Sequence, residues 1–86
     1  MQKLLLGNVT ISKRALKKFG TKSIEDCLKL HQMKKWGDSC PPNIRVWNRA
    51  NLKHKVMSIH KIASEHCYIY TDFIRYQTKV FIQEDY

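Results

Sequence analysis

The sequence predicts an α+β domain: two N-terminal helices packed on one face of a four- to five-stranded antiparallel sheet. Three observations carry this. Between Ser12 and Gly37 apolar residues recur at helical spacing, and from Ile44 onward they alternate. The connections between the alternating segments are too short for parallel crossovers, so those strands should form a meander. The expected order is β–α–α–β–β–β–β, within a single domain spanning residues 1–86.

Met1 to Gly7 holds three leucines and one lysine. That is too short for a signal-peptide core and reads as the first strand. Ser12 is placed to cap a helix and Gly20 to close it. Between them, Ala15, Leu16 and Phe19 share one face, and Lys13, Arg14, Lys17 and Lys18 the other. Ser23-Ile24-Glu25-Asp26 resembles a capping box and opens a second helix. Its apolar stripe is Ile24, Cys27, Leu28 and His31, and it should run to about Trp36 with Gly37 as its stop. Lys34 and Lys35 then sit in a last turn that favours cations. Asp38 to Asn43 is a loop, because Pro41-Pro42 forces an extended path.

Ile44 and Val46 point one way along the next segment, and Arg45, Trp47 and Arg49 the other, which reads as a strand. A polar connection follows, then strands at Lys55–Ala63, Cys67–Thr71 and Ile74–Ile82. The last carries Ile74, Tyr76, Thr78, Val80 and Ile82 on one face. As an exposed edge, that strand would leave dimerisation by pairing open. Glu84-Asp85-Tyr86 should fray.

The formal net charge is +9, and it is unevenly placed. Residues 1–61 carry +11 and residues 62–86 carry −2. So one-sided a field concentrates polyanions, and nucleic acid becomes the first partner to consider. No apolar run approaches the roughly 20 residues that span a bilayer, so no membrane role is expected. Three widely spaced cysteines argue against a disulfide framework and for a cytoplasmic protein. Cys27 and Cys67 read as small core residues, and Cys40 as the exposed one. The cysteines and histidines lack ligand spacing, so neither a metal nor another cofactor is expected.

Two surfaces suit nucleic acid. One is the basic face of the first helix: Lys13, Arg14, Lys17 and Lys18. The other is Arg45, Trp47 and Arg49 on one side of a strand, where guanidiniums meet phosphate and an indole stacks on bases. That chemistry favours RNA or single strands over duplex DNA, and no zinc finger, basic zipper or ribonucleoprotein motif is visible. Metal-independent RNA cleavage needs a proton acceptor, a proton donor and cations for the phosphorus. His60, Lys61, Arg75 and Tyr76 are the strand residues suited to it, together with Arg45 and Arg49. His54 and His66 fall near loops. Paired carboxylates, Gly-rich phosphate loops and nucleophile elbows are absent.

Val9 to Phe19 resembles the opening of small bacterial proteins of the RelE/BrnT-like toxin group. These start with a strand and a helix bearing a His-Ala-x-x-Arg-hydrophobic pattern, followed by a second helix and a meander. Here Arg14 stands at the His position and Lys18 at the Arg position. The resemblance implies a toxin-like ribonuclease, but the titratable group at Arg14 is lost, so binding carries over better than catalysis; the basic charge also leaves an acidic protein partner open. The alternative is a non-enzymatic inhibitor or adaptor from a phage or mobile element, anchored on a protein by Trp36 or Trp47.

Overall fold

The computed structural model describes residues 4–85. Met1 to Lys3 of the expected first strand, and Tyr86, lie outside that range. The order is β1 (Asn8–Ile11), α1 (Lys13–Phe19), α2 (Thr21–Gln32), α3 (Pro42–Ala50), β2 (Lys55–Ile62), β3 (Glu65–Asp72), β4 (Gln77–Phe81) and a 3-10 turn at Gln83–Asp85. The fold is α+β, with helices packed on a four-stranded sheet of order β1-β4-β3-β2.

The sheet is mixed rather than antiparallel. β2, β3 and β4 form the expected meander, but β1 pairs with β4 in parallel. Short connections force antiparallel pairing only on consecutive strands. β1 and β4 are separated by the rest of the domain and are under no such constraint. β4 is therefore an interior strand, which removes the expected dimerisation edge at Ile74–Ile82.

Where local capping chemistry is decisive, the elements fall as expected. Ser12 Oγ accepts from the Ala15 amide at 3.0 Å and starts α1. Gly20, at φ 82°, closes α1 and also opens α2, with its amide bonded to the Leu16 carbonyl. Ser23 consequently lies inside the first turn of α2 and is not its cap. α2 ends at Gln32, four residues short of Trp36, so Lys34 and Lys35 are loop residues. Gly37 does not stop a helix. It has φ 91°, and a Cβ there would overlap the Ile59 carbonyl. A glycine lets this loop lie against β2.

The largest difference is at Ile44–Arg49, which is the middle of α3 and not a strand. Pro42 sits at the first helical position, where its fixed φ is preorganised and its missing N–H costs nothing. Pro41 supplies the extended residue before it, at φ −61° and ψ 150°. The proline pair that argued for a loop is thus a helix start. Tertiary contact holds α3: buried Asn48 donates to the Met57 carbonyl at 2.6 Å and accepts from the Met57 amide at 2.9 Å. With the Ile59 amide bonded to the Trp36 carbonyl at 3.0 Å, these contacts cover the outer edge of β2.

The first strand lies at Asn8–Ile11, and Leu4 to Gly7, the described part of the expected strand, falls outside it. Leu4 is tied instead to the end of α2 by its amide on the Gln32 carbonyl at 2.9 Å. The last strand begins only at Gln77. Asp72 Oδ1 accepts from the amides of Ile74 and Arg75, which turns the chain and leaves Ile74 and Tyr76 each 66% exposed. The acidic end is ordered as a 3-10 turn at Glu84 and Asp85, where Asp85 Oδ2 accepts from the Ile82 amide at 2.9 Å.

The core lies between the helices and one sheet face: Ala15, Ile24, Cys27, Cys67, Ile69, Val80 and Ile82. Cys27 and Cys67 are core residues as expected, but Cys40 is also buried, at 3% exposure. Among the described residues no cysteine is paired, no cluster of ligating residues could hold a metal ion, and no helix is long and apolar enough to cross a membrane.

Candidate nucleic-acid interface

The exposed face of α1 is less basic than its sequence. Lys13, Arg14, Lys17 and Lys18 all face solvent. However, the Arg14 guanidinium donates to the Glu84 carbonyl, and Lys18 Nζ lies 3.3 Å from Glu84 and 3.5 Å from Glu65. Hydrogen bonding to Glu84, with the nearby Glu65 charge, raises the Lys18 pKa. The folded acidic end thus engages two of the four cations, Arg14 through a backbone carbonyl and Lys18 through ion pairs, leaving Lys13 and Lys17 in neither kind of contact among the described residues.

The Arg45, Trp47 and Arg49 set does not survive as one surface. Four residues apart on α3, Arg45 and Arg49 share a stripe, while Trp47 points roughly 160° away. Arg45 is committed to the loop before α3: Nε donates to the Cys40 carbonyl at 3.0 Å and Nη2 to the Gly37 carbonyl. Trp47 is 41% exposed, and Arg49 is exposed.

What the fold brings together is a cleft of about 590 Å³ between the loop after α2, the start of α3 and the outer part of β2. Lys34, Lys35 and Arg45 line it, with Lys61 at its rim, where alternation along β2 turns the side chain to the other sheet face from His60, and with Asp38 as its only carboxylate. Cys27, Leu30, Gly37 and His60 complete it. Three residues singled out from the sequence, Arg45, His60 and Lys61, therefore meet in one place. Lys34 and Lys35 were missed because their position after an amphipathic helix gave them a simpler explanation. Lys34 adopts φ 63°, a left-handed conformation that ends the helix and turns both lysines toward the cleft.

Arg75 and Tyr76 do not join this site. They lie in the turn between β3 and β4, beside the Lys55–Asp72 end of the β2–β3 ladder. His60 pairs with Cys67, five residues further along β2. At about 3.3 Å per residue that is roughly 17 Å, too far for one reacting phosphate.

His60 is 5% exposed and heads a buried chain of hydrogen bonds. Its Nε2 lies 2.9 Å from Ser58 Oγ, which lies 2.7 Å from Nδ1 of the fully buried His31. His31 Nε2 lies 2.8 Å from Thr71 Oγ1, which lies 2.9 Å from Thr78 Oγ1. Thr78 donates to the Leu6 carbonyl at 2.7 Å. Burial lowers the pKa of His60. Burial, reinforced by the His60 charge, pushes His31 down to about 3. Both shifts favour the neutral imidazole. Helical periodicity turned His31 inward from the sequence, but its two hydroxyl partners, Ser58 and Thr71, come from separate strands that no local pattern links.

The sheet face away from the helices carries Tyr68, Tyr70 and Phe81 among exposed Lys61 and Lys79, by alternation with buried Cys67, Ile69 and Val80. Tyr68 and Phe81 stack with ring centroids 5.5 Å apart. Comparison of the chain with protein-family models, curated proteins and solved structures found no match.

Proposed function

We propose that this chain is a small nucleic-acid-binding protein, with RNA favoured over DNA, that seats the phosphate backbone in the cleft between the loop after α2, α3 and β2. The observation that supports this reading most is that Lys34 and Lys35 open onto a concavity bordered also by Arg45, held there by the Gly37 and Cys40 carbonyls, and by Lys61 at the β2 rim, with one carboxylate, Asp38. A strand laid there would displace counterions, so affinity should fall with salt. For three to four phosphate contacts on a single strand, log K should fall with log salt with a slope of about −2 to −3. Fluorescence anisotropy with a labelled 12-mer RNA between 50 and 200 mM salt reads that slope. An affinity that stays level over this range would overturn the reading.

The catalytic extension is metal-independent cleavage by a toxin-like ribonuclease. It is supported by His60 and Lys61 lining the same cleft, with Arg75 and Tyr76 now removed from the constellation. RNA left intact by the wild-type protein, across several substrates and ribosomes, would remove this extension and leave binding in place. The inhibitor or adaptor reading draws on a different surface: α3 leaves Val46 67% and Trp47 41% exposed. Retention of one specific protein from nuclease-treated lysate, with no RNA affinity, would favour it.

A further inference from the structure

We infer that the cleft distinguishes RNA from DNA through His60, whose Nδ1 accepts a hydrogen bond from a ribose 2′-hydroxyl while the surrounding cations hold the flanking phosphates. This rests on the nucleic-acid reading above and adds the group that reads the sugar.

The direction of the buried hydrogen-bond chain carries the inference. The Leu6 carbonyl can only accept, so the Thr78 hydroxyl proton is committed to it. Thr78 Oγ1 must then accept from Thr71, and the Thr71 proton is committed in turn. Thr71 Oγ1 therefore accepts from His31 Nε2–H. Neutral His31 has its lone pair on Nδ1 and accepts from Ser58. Ser58 Oγ accepts from His60 Nε2–H. Neutral His60 is left with a bare Nδ1, a hydrogen-bond acceptor. One backbone carbonyl across the sheet thereby selects the tautomer of a histidine in the cleft.

That nitrogen borders the cleft. His60 lines it at 5% exposure, nothing among the described residues donates to Nδ1, and no fully enclosed side-chain nitrogen or oxygen is left without a partner. A Cβ at position 37 would stand 3.1 Å from it, so any larger residue there would close over the nitrogen. The charged side chains around the cleft are mostly donors. Lysine and arginine offer no acceptor, and the one carboxylate, Asp38, is exposed. A bare lone pair repels a phosphate oxygen but suits an O–H group held beside a phosphate. In a nucleic-acid strand the ribose 2′-hydroxyl is that group, and deoxyribose lacks it.

The test compares binding of one sequence as single-stranded RNA, DNA and 2′-fluoro RNA, by anisotropy, with strand integrity checked on a gel. The fluoro strand keeps the RNA-like sugar conformation and loses only the donor. Wild type should bind RNA about 5- to 10-fold more tightly than either of the others, the worth of one hydrogen bond. His60→Phe should bind all three alike, near the wild-type affinity for DNA. Thr78→Val removes the hydroxyl that polarises the chain and leaves the cleft intact, so it should shrink the RNA preference without weakening DNA binding. Nitrogen-15 shifts of the wild-type protein should show His60 protonated on Nε2 alone, a readout independent of whether either variant folds. Equal wild-type affinities for RNA and 2′-fluoro RNA, a preference that survives His60→Phe, or a protonated Nδ1 would each overturn the inference while leaving the binding reading intact. Absence of binding to all three strands at low salt would overturn both.

Discussion

Mild acid should destabilise this protein chiefly through one residue, His31. The side chain is fully buried, and both ring nitrogens are engaged, with Ser58 at 2.7 Å and Thr71 at 2.8 Å. Protonation would place a charge in the core and would require Nδ1 to donate to a hydroxyl that already donates to it. Burial, then the His60 charge, pushes the folded pKa down to about 3. In the unfolded chain the ring titrates near 6.5. Below that value the unfolded state binds the extra proton, so stability that is fully present above pH 6.5 is lost as pH falls toward 3. At about 1.36 kcal/mol per pH unit, the step from pH 7 to pH 5 costs about 2 kcal/mol from His31 alone. The lowered pKa of His60 acts with the same sign. Asp85, held below the usual carboxylate range mainly by the Ile82 amide, titrates outside this window. Domains of this kind have stabilities of about 5–15 kcal/mol, so the loss is large. Urea unfolding at pH 7 and pH 5, at fixed ionic strength, measures it. Ring signals of His31 followed over the same range should stay those of a neutral imidazole. Unfolding free energies that agree within about 0.5 kcal/mol, or a His31 ring that titrates in the ordinary range, would refute the argument.

Other perturbations follow from the same packing. Asn48→Ala strips both partners from the Met57 backbone and opens the edge of β2. It should cost about 2–3 kcal/mol in urea unfolding, and light scattering should show concentration-dependent association. Gly37→Ala forces a Cβ toward the Ile59 carbonyl at a φ of 91° and should lose at least about 1–3 kcal/mol. An unchanged melting temperature would mean the loop rests on β2 more loosely than described. Lys34→Ala and Lys35→Ala should each flatten the salt dependence of RNA binding by about 0.7 in slope, whereas Arg75→Ala, far from the cleft, should leave it unchanged.

Local chemistry made much of the fold legible. Ser12, Gly20 and the spacing of Ala15 and Phe19 define α1 because a short helix is set by its caps and one apolar face, although Leu16, expected on that face, is 43% exposed. The alternation through Lys55–Ile62 and Glu65–Asp72 locates a hairpin because each strand buries one face. The failures have a common cause. Ile44-Arg45-Val46-Trp47 alternates over too few residues to outweigh a proline that preorganises a helix and an asparagine that caps a strand edge from the side. Ile74 to Tyr76 continues the alternation of β4, but the Asp72 carboxylate gathers the amides of Ile74 and Arg75 into a turn.

The candidate site divides along the same line. Composition and charge distribution alone determined that the first 61 residues carry a +11 excess and that no membrane-length apolar run exists. Those are sums over residues, and sums need no geometry. Only the tertiary structure decided which cations converge. It engaged Arg14 and Lys18 with the acidic end, separated Trp47 from Arg45 and Arg49, and gathered Lys34, Lys35 and Arg45 around the cleft that His60 borders, with Lys61 at its rim. It also set the chemistry of that histidine. A ring's tautomer follows from where its protons are committed, and in this fold the commitment begins at the Leu6 carbonyl, on the far side of the sheet.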